Sequence, residues 1–371
     1  MRALHRRIRA EIDLEALRRN HALAERLAGD HRAVWPVVKG DGYGHGMITI
    51  ARALPAASGF CVADVGEGLA LRAAGIRAPI LALQGAWDEA SLAAATAADL
   101  SLGVHEPGQV ALAEAHADAL ATSAAMLWVE VDTGMHRLGV RPDEVPALQT
   151  RLVELLGPGR VGLMTHFACA DEPEHGLNVC QQAGFAALAA AAPGPVSACN
   201  SGALLTDLFP ADAMVRPGIM LYGASPLLER SAEQLDLAPV MTLRSHLLAV
   251  KTVPAGGTVG YGATWTARRD TRIGLVAAGY GDGYPRHAPS GTPVRIGAAI
   301  VPTVGRVSMD SLAVDLTDAP EARVGSEVVL WGRGLPVDEI AHRVGTIPYE
   351  VLTRVPPRVP RVVIEETTAA P

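Results

Sequence analysis

Through roughly the first 223 residues, short apolar runs alternate with longer amphipathic stretches, a rhythm that few folds accept. The apolar runs are Ala33–Val38, Gly59–Ala63, Pro79–Leu83, Leu100–Val104, Met126–Val131, Val161–Thr165, Pro195–Cys199 and Ala213–Arg216. Between most of them lie Ala/Leu/Glu/Arg-rich segments with helical period: Leu14–Ala28, Gly66–Ala74, Pro107–Ala121, Val145–Leu156 and Val179–Ala192. Strand–helix alternation implies parallel β/α structure, and eight units of this size fit a closed (β/α)₈ barrel, expected over residues 10–232. Beyond about residue 235 the texture changes to Val, Thr, Gly and Pro. Met241–Val250, Thr258–Gly260, Arg272–Ala278, Pro293–Ile296, Leu312–Leu316 and Glu327–Trp331 read as short strands. A separate, mainly-β domain is therefore expected over 233–371, with residues 1–9 able to pack against it. The expected fold class is α/β, a TIM-type barrel followed by a β domain.

Charge narrows the function. The net charge is −7, and the one basic run, His5–Arg9, is followed by Glu11 and Asp13. That argues against nucleic acid and anionic surfaces as partners, and against a secretory leader. No stretch reaches the eighteen or so apolar residues of a spanning helix, so a soluble, cytoplasmic protein is expected. The four cysteines form no C-x-x-C pair and the twelve histidines no H-E-x-x-H pattern. No metal site is predicted.

Barrel enzymes carry their chemistry at the C-terminal ends of the strands. The first strand runs into Lys39-Gly40-Asp41-Gly42-Tyr43-Gly44-His45-Gly46, and alternation puts Trp35, Val37 and Lys39 on one face. An inward Lys39 would be a desolvated amine with a lowered pKa, the form Schiff-base chemistry needs. Alone, a lysine at a strand end is more often a surface residue.

PVVKGDGYGHG resembles the cofactor-lysine motif of the alanine racemases, pyridoxal-phosphate enzymes built from a barrel and a β domain. VDTGMHRLGVRP, LMTHFACADE, ACNSGALL, VRPGIMLYG, VGYGATWTA, GYGDGYPR, VGRVSMDSLAVDL and IPYEVLTR resemble the same family in the same order. All six tyrosines fall within these segments.

The resemblance implies that Lys39 binds pyridoxal 5'-phosphate and serves as one proton carrier, with Tyr261 of a partner subunit as the other. A phenol ordinarily titrates near pH 10, and the resemblance implies help from His166 and Arg216. Arg216 would also donate to the pyridine nitrogen. An arginine keeps its proton, so the ring should be a weaker electron sink, which favours racemisation over transamination. The phosphate is expected against Tyr43, Ser201, the backbone of Gly218 and Ile219, and Tyr349, with Asn200 adjoining. The substrate carboxylate is expected at Arg137 and the Met309 backbone, with Asp310 close by, and Tyr280 and Tyr284 at the entrance. The active form implied is a homodimer with a shared active site and a small amino acid as substrate.

One position departs from the family. Many members carry a carbamylated lysine where this chain has Glu130. By alternation Trp128, Glu130 and Asp132 share a face, so an inward Glu130 would place a carboxylate beside Arg137. His136 also replaces a glycine of some relatives and carries no assigned role. Other readings are a racemase of another amino acid, a basic amino-acid decarboxylase, a non-catalytic cofactor carrier, or a Schiff-base aldolase. The motif order favours the racemases.

Overall fold

The computed structural model describes residues 7–364. Eight short parallel strands form the barrel. Six of them, Phe60–Val62, Ile80–Ala82, Leu100–Val104, Leu127–Glu130, Val161–Met164 and Val196–Ser197, pair in sequence order. Ala33–Val34 pairs with Met214–Val215. Closure comes from the Val37–Cys61 bridge on one side and from the Ala213 amide donating to Val196 O at 2.9 Å on the other. Each strand coincides with an expected apolar run. These strands are hydrophobic along their length because both faces are covered, one by the barrel interior and one by helices.

The first helix, Leu14–Ala28, shows how the outer ring is specified. Leu14, Leu17, Ala24 and Ala28 are buried at helical spacing, the Asp13 carboxylate caps the Ala16 amide at 2.9 Å, and Gly29 ends the helix at φ 69°. The segment expected as one helix over Pro107–Ala121 is two, Pro107–Ala115 and Ala117–Thr122, separated at His116.

The second unit is an eight-stranded sheet. Met241–Val253 is long enough to serve two neighbours. Its register shifts between Leu247 and Ala249, and the two halves pair with Glu327–Trp331 and with Thr271–Val276. Leu312–Asp315, Ala299–Val304 and Pro293–Ile296 complete a closed circuit. The strand Arg9–Asp13 lies in this sheet, antiparallel to Met241–Val253 and parallel to Arg361–Ile364. This corrects the expected barrel start at residue 10: barrel structure begins at Leu14, and Asp13 is both the last residue of a β-domain strand and the cap of the first barrel helix. Asn20, buried, joins the units by donating to Leu221 O and Ala238 O and accepting from the Ala238 amide, at 2.8–3.0 Å. Among the described residues no helix is long and apolar enough to cross a membrane.

Candidate active site

Lys39 follows the first barrel strand and opens a turn of unusual hand. Gly40, Asp41 and Gly42 have φ of 64°, 54° and 63°, and Tyr43 and Gly44 continue at 51° and 81°. Left-handed backbone is disfavoured for most residues, which accounts for the repeated glycines of this segment. Gly44 is also fixed by space: a Cβ there would lie 2.3 Å from Leu352 O. Glu67 braces the turn, its carboxylate accepting from the Gly40 and Ala63 amides at 2.8 Å each. His45, fully buried, donates from Nδ1 toward the Gly42 and Tyr43 carbonyls at 3.0 and 2.9 Å.

The turn borders a cavity of about 970 Å³ at the mouth of the barrel. Of the residues expected in the site, Lys39, Tyr43, Arg137, His166, Asn200, Ser201, Arg216, Gly218, Ile219 and Tyr349 line it, together with Glu130. Tyr349 reaches it from the β-domain helix Pro348–Thr353, so both units of one chain build its wall. Tyr261, Met309 and Asp310 are not among its lining residues. Tyr261 and Met309 stand 68% and 53% exposed on the β domain. Asp310 is engaged elsewhere, accepting from Arg358 at 2.7 Å.

The cavity lining sets Lys39, Arg137 and Arg216 beside the carboxyl groups of Glu67, Glu130 and Glu350. Burial, helped by Arg137 and Arg216, lowers the Lys39 pKa below that of a free lysine. Burial and the same two arginines, with Lys39, push His166 down to about 3, so it is a neutral imidazole at physiological pH. Arg216 is buried and held by Ser197 Oγ and by Thr165 O, the latter at 2.6 Å. Burial drives Glu130 upward, against the pull of Arg216, Arg137, His105 and Lys39. Alternation on the fifth strand holds: Trp128 is in the core, Glu130 faces the cavity, and Asp132 accepts from the Gly134 and His136 amides at 3.0 Å. The expected adjacency of Glu130 and Arg137 is looser than a direct pair. Arg137 is exposed at the rim and, among the described residues, takes part in no ion pair.

Part of the lining forms a cradle. Ser201 Oγ accepts from the Gly218 amide at 2.8 Å and from the Met220 amide at 3.4 Å. A Cβ on Gly218 would come within 2.4 Å of Tyr43 Oη. Tyr43 stacks on Tyr222 with centroids 4.6 Å apart and lies 5.9 Å from Tyr349. Burial raises the pKa values of Tyr43 and Tyr349, so both phenols keep their protons as donors. Asn200 caps the short helix Ser201–Leu205, its side chain accepting from the Ala203 amide at 3.1 Å.

Tyr280 is part-exposed, as an entrance residue requires, but Tyr284 is not: it is buried and stacked on Trp331 at 6.2 Å. The entrance role expected for Tyr284 is thereby replaced by core packing in the β domain. Glu67 escaped the sequence reading because an acid three residues after Asp64 resembles an ordinary first-turn helical residue.

Comparison with known proteins gives a consistent result. Residues 12–226 match the family of the alanine racemase N-terminal domain, and residues 240–363 that of the alanine racemase C-terminal domain. The chain is 45% identical to the alanine racemase of Shewanella putrefaciens over 353 residues, covering 95% of this chain and 97% of that protein. It is 45% identical to that of Vibrio cholerae over 351 residues, covering 94% and 96%. Among solved structures, the biosynthetic alanine racemase of Pseudomonas aeruginosa superposes with a TM-score of 0.92 at 43% identity, covering 97% of this chain and 100% of that one. The alanine racemase of Bartonella henselae with covalently bound pyridoxal phosphate superposes with a TM-score of 0.87 at 28% identity, covering 96% and 99%.

Proposed function

Because the chain belongs to the alanine racemase family, we propose that it interconverts L-alanine and D-alanine with pyridoxal 5'-phosphate, as a cytoplasmic homodimer that engages neither nucleic acid nor membrane. The residues present fit the cofactor: a cavity lined by hydroxyl groups and backbone, a Gly218 position where a side chain would meet Tyr43, and an amine with a lowered pKa in the same lining. Tyr43, Ser201, Tyr349 and the Gly218–Ile219 backbone would hold the phosphate, with Asn200 fixing the Ser201 helix. Lys39 would carry the covalent link. When bound, the cofactor supplies an electron sink for the pair left behind when a proton leaves the substrate Cα.

The protein supplies the proton carriers and their placement. Lys39, whose pKa is lowered by burial and by Arg137 and Arg216, would be the base on one face. The opposite face needs a second carrier, and no phenol of this cavity serves, since Tyr43 and Tyr349 belong to the cradle. The resemblance assigns that role to Tyr261, and its exposure on the β domain suits delivery by the partner subunit. Met309 and Asp310, also outside the cavity, would arrive with it. Arg137 would grip the substrate carboxylate with its two-pronged donor geometry, and buried Glu130 would supply the balancing negative charge through space. His166, neutral, and Arg216, pinned by Ser197 and Thr165, would tune the tyrosine. Arg216, which has only donors to offer, would leave the ring nitrogen of a bound cofactor unprotonated and so favour return of the proton to Cα.

The observation that carries this reading is the convergence of motifs from across the barrel on one cavity around Lys39, with Tyr261 left exposed outside it. The test is D-alanine formation from L-alanine with and without added cofactor, beside borohydride fixation. Cofactor-dependent turnover and a reduced adduct on Lys39 are expected, and Lys39→Ala should lose about a thousandfold in rate or more. Full activity in that variant rules the assignment out.

A further inference from the structure

The C-terminal segment Arg354-Val355-Pro356-Pro357-Arg358-Val359-Pro360-Arg361 leaves the helix that carries Tyr349 and enters the strand Arg361–Ile364. Two of its arginines reach in different directions. Arg361 donates from Nε and Nη2 to Gly44 O at 3.0 and 2.9 Å. It also donates to Val355 O, Pro356 O and Val359 O at 2.6–2.9 Å, so the guanidinium is locked to its own segment while it grips the glycine turn. Gly44 is the far end of the left-handed stretch that begins beside Lys39 and contains Tyr43. Among the described residues, Arg361 is the side chain that holds its carbonyl in place.

Arg358, three residues earlier, binds Asp282 Oδ1 from Nε at 3.0 Å and from Nη2 at 2.9 Å, and Asp310 Oδ1 at 2.7 Å. Asp282 is buried and accepts from the Gly279 amide at 3.1 Å. The two loops are also stitched together directly. The Tyr280 amide donates to Ser308 O and the Gly281 amide to Met309 O, at 3.0 and 2.9 Å. Arg358 thus clamps the pair of loops that displays Tyr280, Met309 and Asp310.

We propose that Arg361 and Arg358 are positioning residues for two different active sites: Arg361 sets the cofactor turn of its own chain, and Arg358 sets the loops that the same chain lends to its partner. This rests on the shared-site reading above. Neither arginine lines the cavity, so both act through the backbone they hold. A guanidinium bond to a carbonyl or carboxylate contributes enough that its loss should shift the affected equilibrium by about tenfold.

The experiment compares Arg361→Met and Arg358→Met as full-length protein. Apo-protein is titrated with pyridoxal phosphate by absorbance, and KM and kcat for alanine are measured at saturating cofactor. Arg361→Met should weaken cofactor binding about tenfold and leave KM for alanine nearly unchanged. Arg358→Met should do the reverse, raising KM about tenfold with cofactor affinity intact. Arg361→Lys, which keeps the charge and loses the paired geometry, should fall between wild type and Arg361→Met, and it carries the test if the methionine variant does not fold. Both arginines moving the same parameter, or Arg361→Lys binding the cofactor as wild type does, overturns the proposal. A wild type that binds no pyridoxal phosphate overturns the functional reading instead.

Discussion

Lys39 and Tyr261 occupy opposite kinds of environment. Lys39 sits at the mouth of a packed barrel, with burial and two arginines setting its protonation and a braced glycine turn setting its position. Tyr261 stands on a short 3₁₀ turn, 68% exposed, between the strands Thr258–Val259 and Trp265–Thr266. Of the two proton carriers we propose, one is finished by folding. The other is only presented. The chemistry we propose needs both, and Tyr261 is not among the residues that line the Lys39 cavity.

The largest effect should come from dividing the two halves. A mixed dimer of a Lys39→Ala chain and a Tyr261→Phe chain contains one site with both defects and one with neither. Dimers isolated with two different tags should recover about half of wild-type activity, although each parent homodimer has lost a hundredfold or more, roughly the contribution of one acid–base group. No recovery means that Tyr261 serves its own chain, or none.

Arg216→Glu probes the barrel half alone. An acid in place of the pinned guanidinium can protonate the cofactor ring, so pyruvate formation should rise relative to racemisation while total turnover falls about a hundredfold. An unchanged ratio would remove Arg216 from control of the reaction outcome.

A smaller effect is expected from Glu130→Gln. With no direct ion pair to Arg137, the carboxylate acts through space, and KM for alanine should rise by about tenfold at most. An unaltered KM would mean that Arg137 needs no counter-charge.

The smallest effect is on acid stability. His166 in the folded protein binds a proton only near pH 3, against its ordinary 6.5. Between those values the unfolded chain binds more protons, so stability falls as the pH is lowered through that window. His166→Gln should therefore lose less melting temperature than wild type between pH 6.5 and 4. Part of the slope should remain, because His45 is likewise pushed down, to about 4. Parallel curves for the two proteins would place the acid sensitivity elsewhere.

The same contrast governs what could be read from the amino acids. The barrel strands were legible because each is a run of residues buried on both faces, and such runs stand out against Ala- and Glu-rich helices. Arg9–Asp13 was not: it reads RAEID, and its partners Met241–Val253 and Arg361–Ile364 lie at the far end of the chain. Ala299–Val304 was hidden by Pro302, an interior residue that pairs with Pro293, the first residue of the neighbouring strand. In the site, motifs located the residues that line the cavity, while the groups that hold them went unseen. Glu67 lies in an ordinary first helical turn and Arg358 and Arg361 in a proline-rich stretch, and a hydrogen bond to distant backbone or to a distant carboxylate leaves no periodic trace.

The turn that follows Lys39 carries a further consequence. From Gly40 to Gly44 the main chain stays at positive φ, the region that mirror symmetry assigns to residues of D configuration. Glycine is tolerated there for want of handedness, and Asp41 and Tyr43 are held there against theirs. Around its own reactive amine, a protein that we propose makes D-alanine is folded in the sense that D-alanine residues would adopt unforced.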